Sequence, residues 1–348
     1  MDMPVTFPTP SAADAALRAR LARYLSAQAA APVAVRSFRR LSAGLSWMTA
    51  SFTADFPSGH PAPAELILKL GPLQGLMAPY SALPQALAGL SFAGSKVPVP
   101  TVRWHGDDEA ALGGPFLICD RVDGDALNPF VPDFEATEPG DLPALGARFA
   151  QLLAHIHALD WRHAPIAALA TARQDTHAAQ ELRFWRERAQ RWSLRPVPML
   201  ELAGNWLARH GPANPAPCVV HGDYRVGNFL HRGQDVTAVL DWEMVHIGDH
   251  HEDIAWAFMP EFRLTGLVGL AEFKRLYADG GGPPLDDEAL QYYTVFCLYK
   301  LAVINLGAAH GVEQGANDLR LACLGLTVSG YLERLGRALS KRLRANEG

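Results

Sequence analysis

Apolar residues in this chain recur with two different periods, and the change of period divides it. Leu17, Leu21, Tyr24 and Leu25 share one helical face, and Ser11 has Asp14 three residues on as a capping partner, so a first helix is predicted to begin at Ser11. From Val33 to Leu70 the spacing shortens toward two. The runs 33–39, 47–53 and 66–70 read as three strands of an antiparallel sheet, and Phe116 to Asp120 as a last strand. Helical spacing then returns, in Leu145, Phe149, Leu152, Leu153, Ile156 and Leu159 and again over 290–306 and 325–338. A single strand-like island interrupts this helical part: Phe229 to His231 and Val236 to Leu240, joined by the turn signal Arg232-Gly-Gln-Asp235. The predicted class is α+β, an antiparallel sheet followed by a larger, mainly helical part.

Length and composition refine this outline. With 348 residues, 49% of them hydrophobic, the chain exceeds the usual single-domain size, which favours two lobes. A net charge of −5 supplies no concentrated basic face for nucleic acid. Cys119, Cys218, Cys297 and Cys323 are far apart and form no Cys-x-x-Cys pair, which suits scattered buried thiols in a reducing cytoplasm better than a zinc site or a disulfide framework. Residues 1–10 show no basic-then-apolar secretory pattern, and Asp2 and Asp14 are out of place in an arginine-rich transit peptide. The longest apolar stretch, Thr294 to Ala309, is interrupted by Lys300 and is too short to span a bilayer, so the expectation is no membrane partner.

The stretch 219–242 carries the chemistry. Closing the predicted hairpin brings Asn228, before its first strand, beside Asp241, after its second, and two such oxygen ligands suit a hard cation. Asp223 stands five residues before Asn228, within reach of a hydroxyl approaching a metal-bound phosphate. Lys69 interrupts an apolar strand on the face of Ile67, opposite Leu66, Leu68 and Leu70. Burying its ammonium is costly unless an anion meets it.

Asp followed by Asn five residues later, with a later metal-binding Asp, is the order of the protein-kinase catalytic loop. In full, His221-Gly-Asp223-x-x-x-x-Asn228 with Leu240-Asp241-Trp-Glu243, followed by Ile247-Gly-Asp249 and Glu252-Asp253-Ile-Ala255, resembles the aminoglycoside phosphotransferase and choline kinase-like family of small-molecule kinases. The resemblance implies a two-lobed protein-kinase-like fold, with a nucleotide-binding lobe over 1–122 and a catalytic and substrate-binding lobe over 123–348. It implies ATP and Mg²⁺ as cofactors, Asp223 as catalytic base, Asn228 and Asp241 as metal ligands, and Lys69 on the α- and β-phosphates. Leu41-Ser42-Ala-Gly44-Leu-Ser46 resembles the family's phosphate loop, with Ala43 in place of its first glycine; Ser42, Gly44 and Ser46 are the implied contacts. Main-chain groups of Asp120 and Val122 are the implied adenine contacts and Asp253 the implied brace of the catalytic loop; His157, a lone histidine on an apolar helix face, is expected to be a hydrogen-bonded structural residue.

Two features leave the activity open. Members of the family carry a helix glutamate that pairs with the lysine, yet no acid lies between Glu65 and Asp107, and Gln85 occupies roughly that place. A neutral amide supplies no countercharge, so the alternative is a nucleotide-binding pseudokinase without turnover. His221, Asp223, His246, His250, His251 and Asp253 also invite a metal-dependent hydrolase, although Gly248 and a helix cap expected at Asp249 separate His246 from His250. For a kinase the expected partner is a small-molecule hydroxyl acceptor. Tyr224-Arg225-x-Gly227-Asn228 is most similar to the branch related to kinase domains fused to acyl-CoA dehydrogenases, implying a hydroxyacyl-CoA, whereas Glu243 and Asp249 would suit an amino-sugar or aminoalcohol. Oligomeric state cannot be read from these residues.

Overall fold

The computed structural model describes residues 12–41, 46–57, 64–72, 79–129, 141–170, 175–213 and 216–345. Its first elements are α1 (Ala12–Ala29), β1 (Ala34–Leu41), β2 (Met48–Asp55), β3 (Ala64–Leu70), α2 (Leu83–Phe92), β4 (Val102–Gly106), α3 (Glu109–Leu112) and β5 (Phe116–Asp120). There follow β6 (Asp125–Ala126), α4 (Asp141–His157), α5 (His177–Trp192), α6 (Pro198–Arg209), β7 (Cys218–Val220), β8 (Phe229–Arg232), β9 (Asp235–Val239) and β10 (His246–Gly248). The chain ends in α7 (His251–Ala257), α8 (Leu270–Asp279), α9 (Asp287–Glu313), α10 (Leu319–Leu326) and α11 (Val328–Ala345). It divides into two compact units, residues 1–74, 78–83 and 102–121, and residues 75–77, 84–101 and 122–348.

The first unit is an antiparallel sheet of order β1-β2-β3-β5-β4, so the strand expected last lies between two others. Alternation decides its faces. Leu66 and Leu68 of β3 point into a core with Phe52, Ile118 and Phe116, onto which α1 lays Leu17, Leu21 and Leu25. Ser11, and with it the cap expected from Ser11 and Asp14, lies outside the described residues; Asp14, in the first turn of α1, pairs with Arg40. An irregularity between Arg36 and Arg39, with Ser37 at φ +52°, breaks the regular pairing of β1 with β2.

Among the described residues the second unit has two large apolar centres. One surrounds α4, whose Leu145, Phe149, Leu152, Leu153 and Ile156 are buried with Phe229 and Val239 of the hairpin and Phe273 of α8. The other surrounds α9, which runs 27 residues and by length and composition alone could cross a membrane. This corrects the expectation of a stretch too short to span. The helix is nonetheless a core element: two-thirds of its most apolar window is buried inside the fold, and Lys300 at its middle is held by Glu252. Of the four cysteines three are buried and Cys323 is exposed, against the expectation that all are buried.

Candidate active site

The site begins where β7 ends. β7 pairs antiparallel with β10, Val220 opposite His246, and delivers His221, Gly222 and Asp223 into a tightly bonded loop. Asp253 of α7 braces that loop: its Oδ2 accepts the His221 N–H at 2.7 Å and its Oδ1 the Gly222 N–H at 2.9 Å. His157 Nε2 donates to the same carboxylate at 3.1 Å while its Nδ1 accepts from the Tyr277 hydroxyl at 2.6 Å, so His157 is a structural residue. Burial would raise the Asp253 pKa, but the hydrogen bond from His157, with His221 and its amide, holds it below the usual carboxylate range. Gly222 has φ +81°, and a Cβ there would lie 2.4 Å from the Met244 carbonyl oxygen, so only glycine suits the turn.

His221 is neutral in a defined tautomer. Nε2 donates to the Leu240 carbonyl at 2.9 Å, which leaves Nδ1 to accept the Asp223 N–H at 3.2 Å. Burial lowers its pKa against the pull of Asp253 and Asp223. The ring therefore ties the loop to the end of β9.

Asp223 itself is 7% exposed and receives three side chains: Trp256 Nε1 donates to Oδ1 at 2.7 Å, Asn228 Nδ2 to Oδ2 at 2.6 Å, and Arg225 Nε to both oxygens at 3.1 and 3.3 Å. Asn228 Nδ2 also donates to the Asp223 carbonyl at 2.9 Å.

The hairpin forms as the turn signal implies. Phe229 pairs with Val239, and the Leu240 N–H donates to the Asn228 carbonyl at 2.8 Å, which brings the start of β8 beside the residue preceding Asp241. Asp241 is half-buried in the left-handed conformation, φ +66°, an unusual state for a non-glycine residue. Trp242 behind it packs against His221 and Phe92 with tilted rings, centroids 4.4 Å and 4.9 Å apart. Asn228 spends its amide nitrogen on Asp223, leaving its oxygen as the atom type a hard cation takes, and Asp241 adds a carboxylate. The donor set fits a divalent ion.

In the first unit, Lys69 is half-buried on the face of β3 away from the core, paired with Thr49 and Leu117. Asp120 ends β5 with its carboxylate held by Arg103 at 2.7 and 2.8 Å, and Val122 follows at the start of the second unit. Ser46 is half-buried just before β2, whereas Ser42 and Gly44 lie outside the described residues. Gln85 is buried on α2 of the second unit.

The histidines proposed for a hydrolase do not converge on one centre: His250 and His251 gather with Asp249, and His246 with Glu181 and Glu252, the ligand atoms of each group within 4.8 Å of one another. His221 is committed as above, and His246 on β10 lies 3.7 Å from Glu181 and 3.5 Å from Glu252. His251 Nδ1 donates to Asp249 at 2.6 Å and its Nε2 accepts the Asp286 N–H, while His250 Nε2 donates to the Pro284 carbonyl. These two rings and Asp249 thus secure the turn before α9. Asp249 is not the cap residue of α7, which begins at His251 with His250 before it, although its carboxylate does accept the His251 N–H at 3.0 Å.

Residues 52–290 match the family model described as the phosphotransferase enzyme family, APH. The chain belongs to this family. As a phosphotransferase it shares the two-lobed α+β fold of several solved structures, among them a Ralstonia eutropha protein assigned to the aminoglycoside phosphotransferases (21% identity, TM-score 0.69, covering 92% of this chain and 98% of that one). A thermostable variant of aminoglycoside phosphotransferase APH(4)-Ia, in complex with ADP and hygromycin B, has 17% identity and a TM-score of 0.59 over 91% and 98% of the two chains. A macrolide 2'-phosphotransferase type I has 18% identity and a TM-score of 0.60 over 94% and 99%. Curated relatives are acyl-CoA dehydrogenase family member 10 of Mus musculus, 26% identical over 62% of this chain and 22% of the relative, and member 11 of Pongo abelii, 22% identical over 70% and 33%. This phosphotransferase thus spans between about a fifth and a third of the length of those relatives.

The contacts that three residues make around Asp223 escape a reading of motifs. Trp256 lies one helical turn after Asp253, on the face that braces the loop, and this i, i+3 spacing is the signal that could have found it. Arg225 sits inside the motif itself. Lys300 comes 78 residues after the carbonyl it holds, and its only trace in the sequence is a charge inside an apolar run.

Proposed function

We propose that this phosphotransferase moves the γ-phosphate of ATP to a hydroxyl of a small molecule. The observation that carries the reading is the contact of Asn228 with Asp223 at one end of a hairpin whose other end carries Asp241. Asp223 accepts the proton of the acceptor hydroxyl through a carboxylate that Trp256, Asn228 and Arg225 hold still. Asn228 and Asp241 hold Mg²⁺. When bound, the ion neutralises charge on the phosphates. Lys69 meets the α- and β-phosphates, with Ser42, Gly44 and Ser46 beside them, and the main chain of Asp120 and Val122 meets adenine. Residues 1–122 form the nucleotide lobe in this account and 123–348 the catalytic and acceptor lobe. Phosphoryl transfer passes through a loose transition state, so positioning and charge contribute more than proton removal.

The sequence relatives favour a hydroxyacyl thioester as acceptor, because the curated matches fall on acyl-CoA dehydrogenase family members. An amino-sugar acceptor draws support from solved neighbours of somewhat lower identity, 21% and 17%. ADP release measured against panels of hydroxyacyl-CoAs and aminoglycosides separates the two. Turnover with an acceptor of the first panel is expected, and turnover confined to the second would overturn the thioester assignment. Asp223→Asn should abolish turnover while keeping the rise in Tm produced by ATP and Mg²⁺. Retained turnover contradicts the assignment of the base, and ATP binding by the wild type without product from any acceptor supports the pseudokinase that Gln85 suggests.

A further inference from the structure

Midway along α9 the second unit buries a lysine. Lys300 is 1% exposed, and its ammonium donates to the Gly222 carbonyl at 2.7 Å and to Glu252 Oε1 at 3.0 Å. The Trp256 ring lies 4.5 Å and the Trp185 ring 5.4 Å from the nitrogen. Burial works against the charge, but the Glu252 carboxylate outweighs it and keeps the lysine protonated. In the other direction, Lys300 and His246 keep Glu252 ionised despite its burial.

A buried ion pair is a poor way to stabilise a core, since apolar side chains of the same volume do as well or better. What apolar side chains cannot do is hold a carbonyl. The Gly222 carbonyl and the Asp223 N–H belong to one planar peptide unit. Its oxygen is held by Lys300 and its N–H by His221 Nδ1 at 3.2 Å, while the Gly222 N–H is held by Asp253. The amides of His221, Gly222 and Asp223 and the Gly222 carbonyl are therefore each bonded to a side chain, and the charged partners come from α7 and α9. Trp256, on α7 with Glu252 and Asp253, completes the frame by bonding the Asp223 carboxylate.

We infer that Lys300 is a positioning residue for phosphotransfer: by holding the Gly222 carbonyl it orients the peptide plane that carries Asp223, and Glu252 holds the ammonium in place from the other side. The inference rests on the reading of Asp223 as the base.

The test uses the full chain in three variants. Lys300→Met combined with Glu252→Gln removes both charges without orphaning a carboxylate, Lys300→Arg keeps a donor, and Asp223→Asn is the control. The readouts are ADP release from MgATP with water as acceptor, the KM for MgATP, and amide hydrogen exchange over 219–224. The double variant is expected to lower kcat at least about tenfold with KM for MgATP within about twofold of wild type, and to speed exchange in 219–224 while leaving α4 protected. Lys300→Arg should restore kcat to within about threefold and slow the exchange again. A double variant with wild-type kcat and wild-type exchange in 219–224 overturns the proposal, as does a general loosening that speeds exchange in α4 equally. If the double variant does not fold, Lys300→Arg decides alone: wild-type protection of 219–224 with a tenfold loss of kcat counts against Lys300, and joint retention supports it. Undiminished ADP release by Asp223→Asn would instead sink the assignment of the base, while the exchange comparison would still decide whether Lys300 orders the loop.

Discussion

In the first unit, Arg36, Arg40, Arg103 and Arg121 pair with Asp55, Asp14, Asp120 and Glu65 at the surface, each arginine side chain between 44% and 70% exposed. In the second unit Lys300, Glu252, Asp253 and His157 are each at most 3% exposed, and their side-chain bonds go to one another, to the Tyr277 hydroxyl and to the main chain of residues 221 and 222. Exposed pairs are screened and contribute little, about 0–1 kcal/mol. Buried charges are costly to desolvate and tolerate no missing partner, so they fix geometry more than they add stability. The second kind surrounds Asp223, and the contrast locates the part of the chain where orientation, more than cohesion, shaped the choice of residue.

The comparison is broken most sharply by removing a buried acceptor. Asp253→Ala leaves the His221 and Gly222 amides and the His157 ring without their partner, and should cost about 3–5 kcal/mol in urea unfolding. A loss under about 1 kcal/mol would place this carboxylate with the surface pairs.

A smaller effect follows from His246. Burial alone would lower its pKa, but Glu181 and Glu252 outweigh it and raise the value to about 9. Its Nε2 is too far from either carboxylate for a hydrogen bond of ordinary length, so the attraction acts through space. Because the folded value lies above the ordinary 6.5, protonation favours the folded chain. That stabilisation is complete below about pH 6.5 and is lost as pH rises through about 9. Tm should therefore fall across this window in wild type and change less in His246→Gln; parallel profiles would contradict the raised value. The smallest effect is expected at the surface, where Arg36→Ala should leave Tm unchanged within error at moderate salt.

Local pattern was enough to find what lies close together in the chain. The hairpin around Asn228 and Asp241 was legible because strand alternation and a Gly-containing turn agree, and the strands of the first unit because their period of two shows which face is buried. The brace at Asp253 came with the family resemblance, and the structural role of His157 from its place, a lone histidine on an apolar helix face. Less legible was whatever depends on distant partners. The bond from Lys300 to Gly222 joins elements 78 residues apart, and the same logic that singled out Lys69, a lysine inside an apolar run, applied to Lys300 without indicating its partner. The irregularity in β1 at Ser37 and the shift of the α7 cap from Asp249 to His250 are set by packing and backbone geometry that propensity does not report.

The central claim is that Asn228 and Asp241 hold the divalent ion that accompanies the nucleotide. Titrating Mn²⁺ in the presence of ATP, followed by water-proton relaxation, tests it directly on wild type, Asn228→Ala and Asp241→Asn. The account predicts a tight ternary complex in wild type and an apparent Kd for Mn²⁺ raised at least about tenfold in Asp241→Asn, with a smaller rise in Asn228→Ala. Wild-type Mn²⁺ affinity in both variants would contradict it.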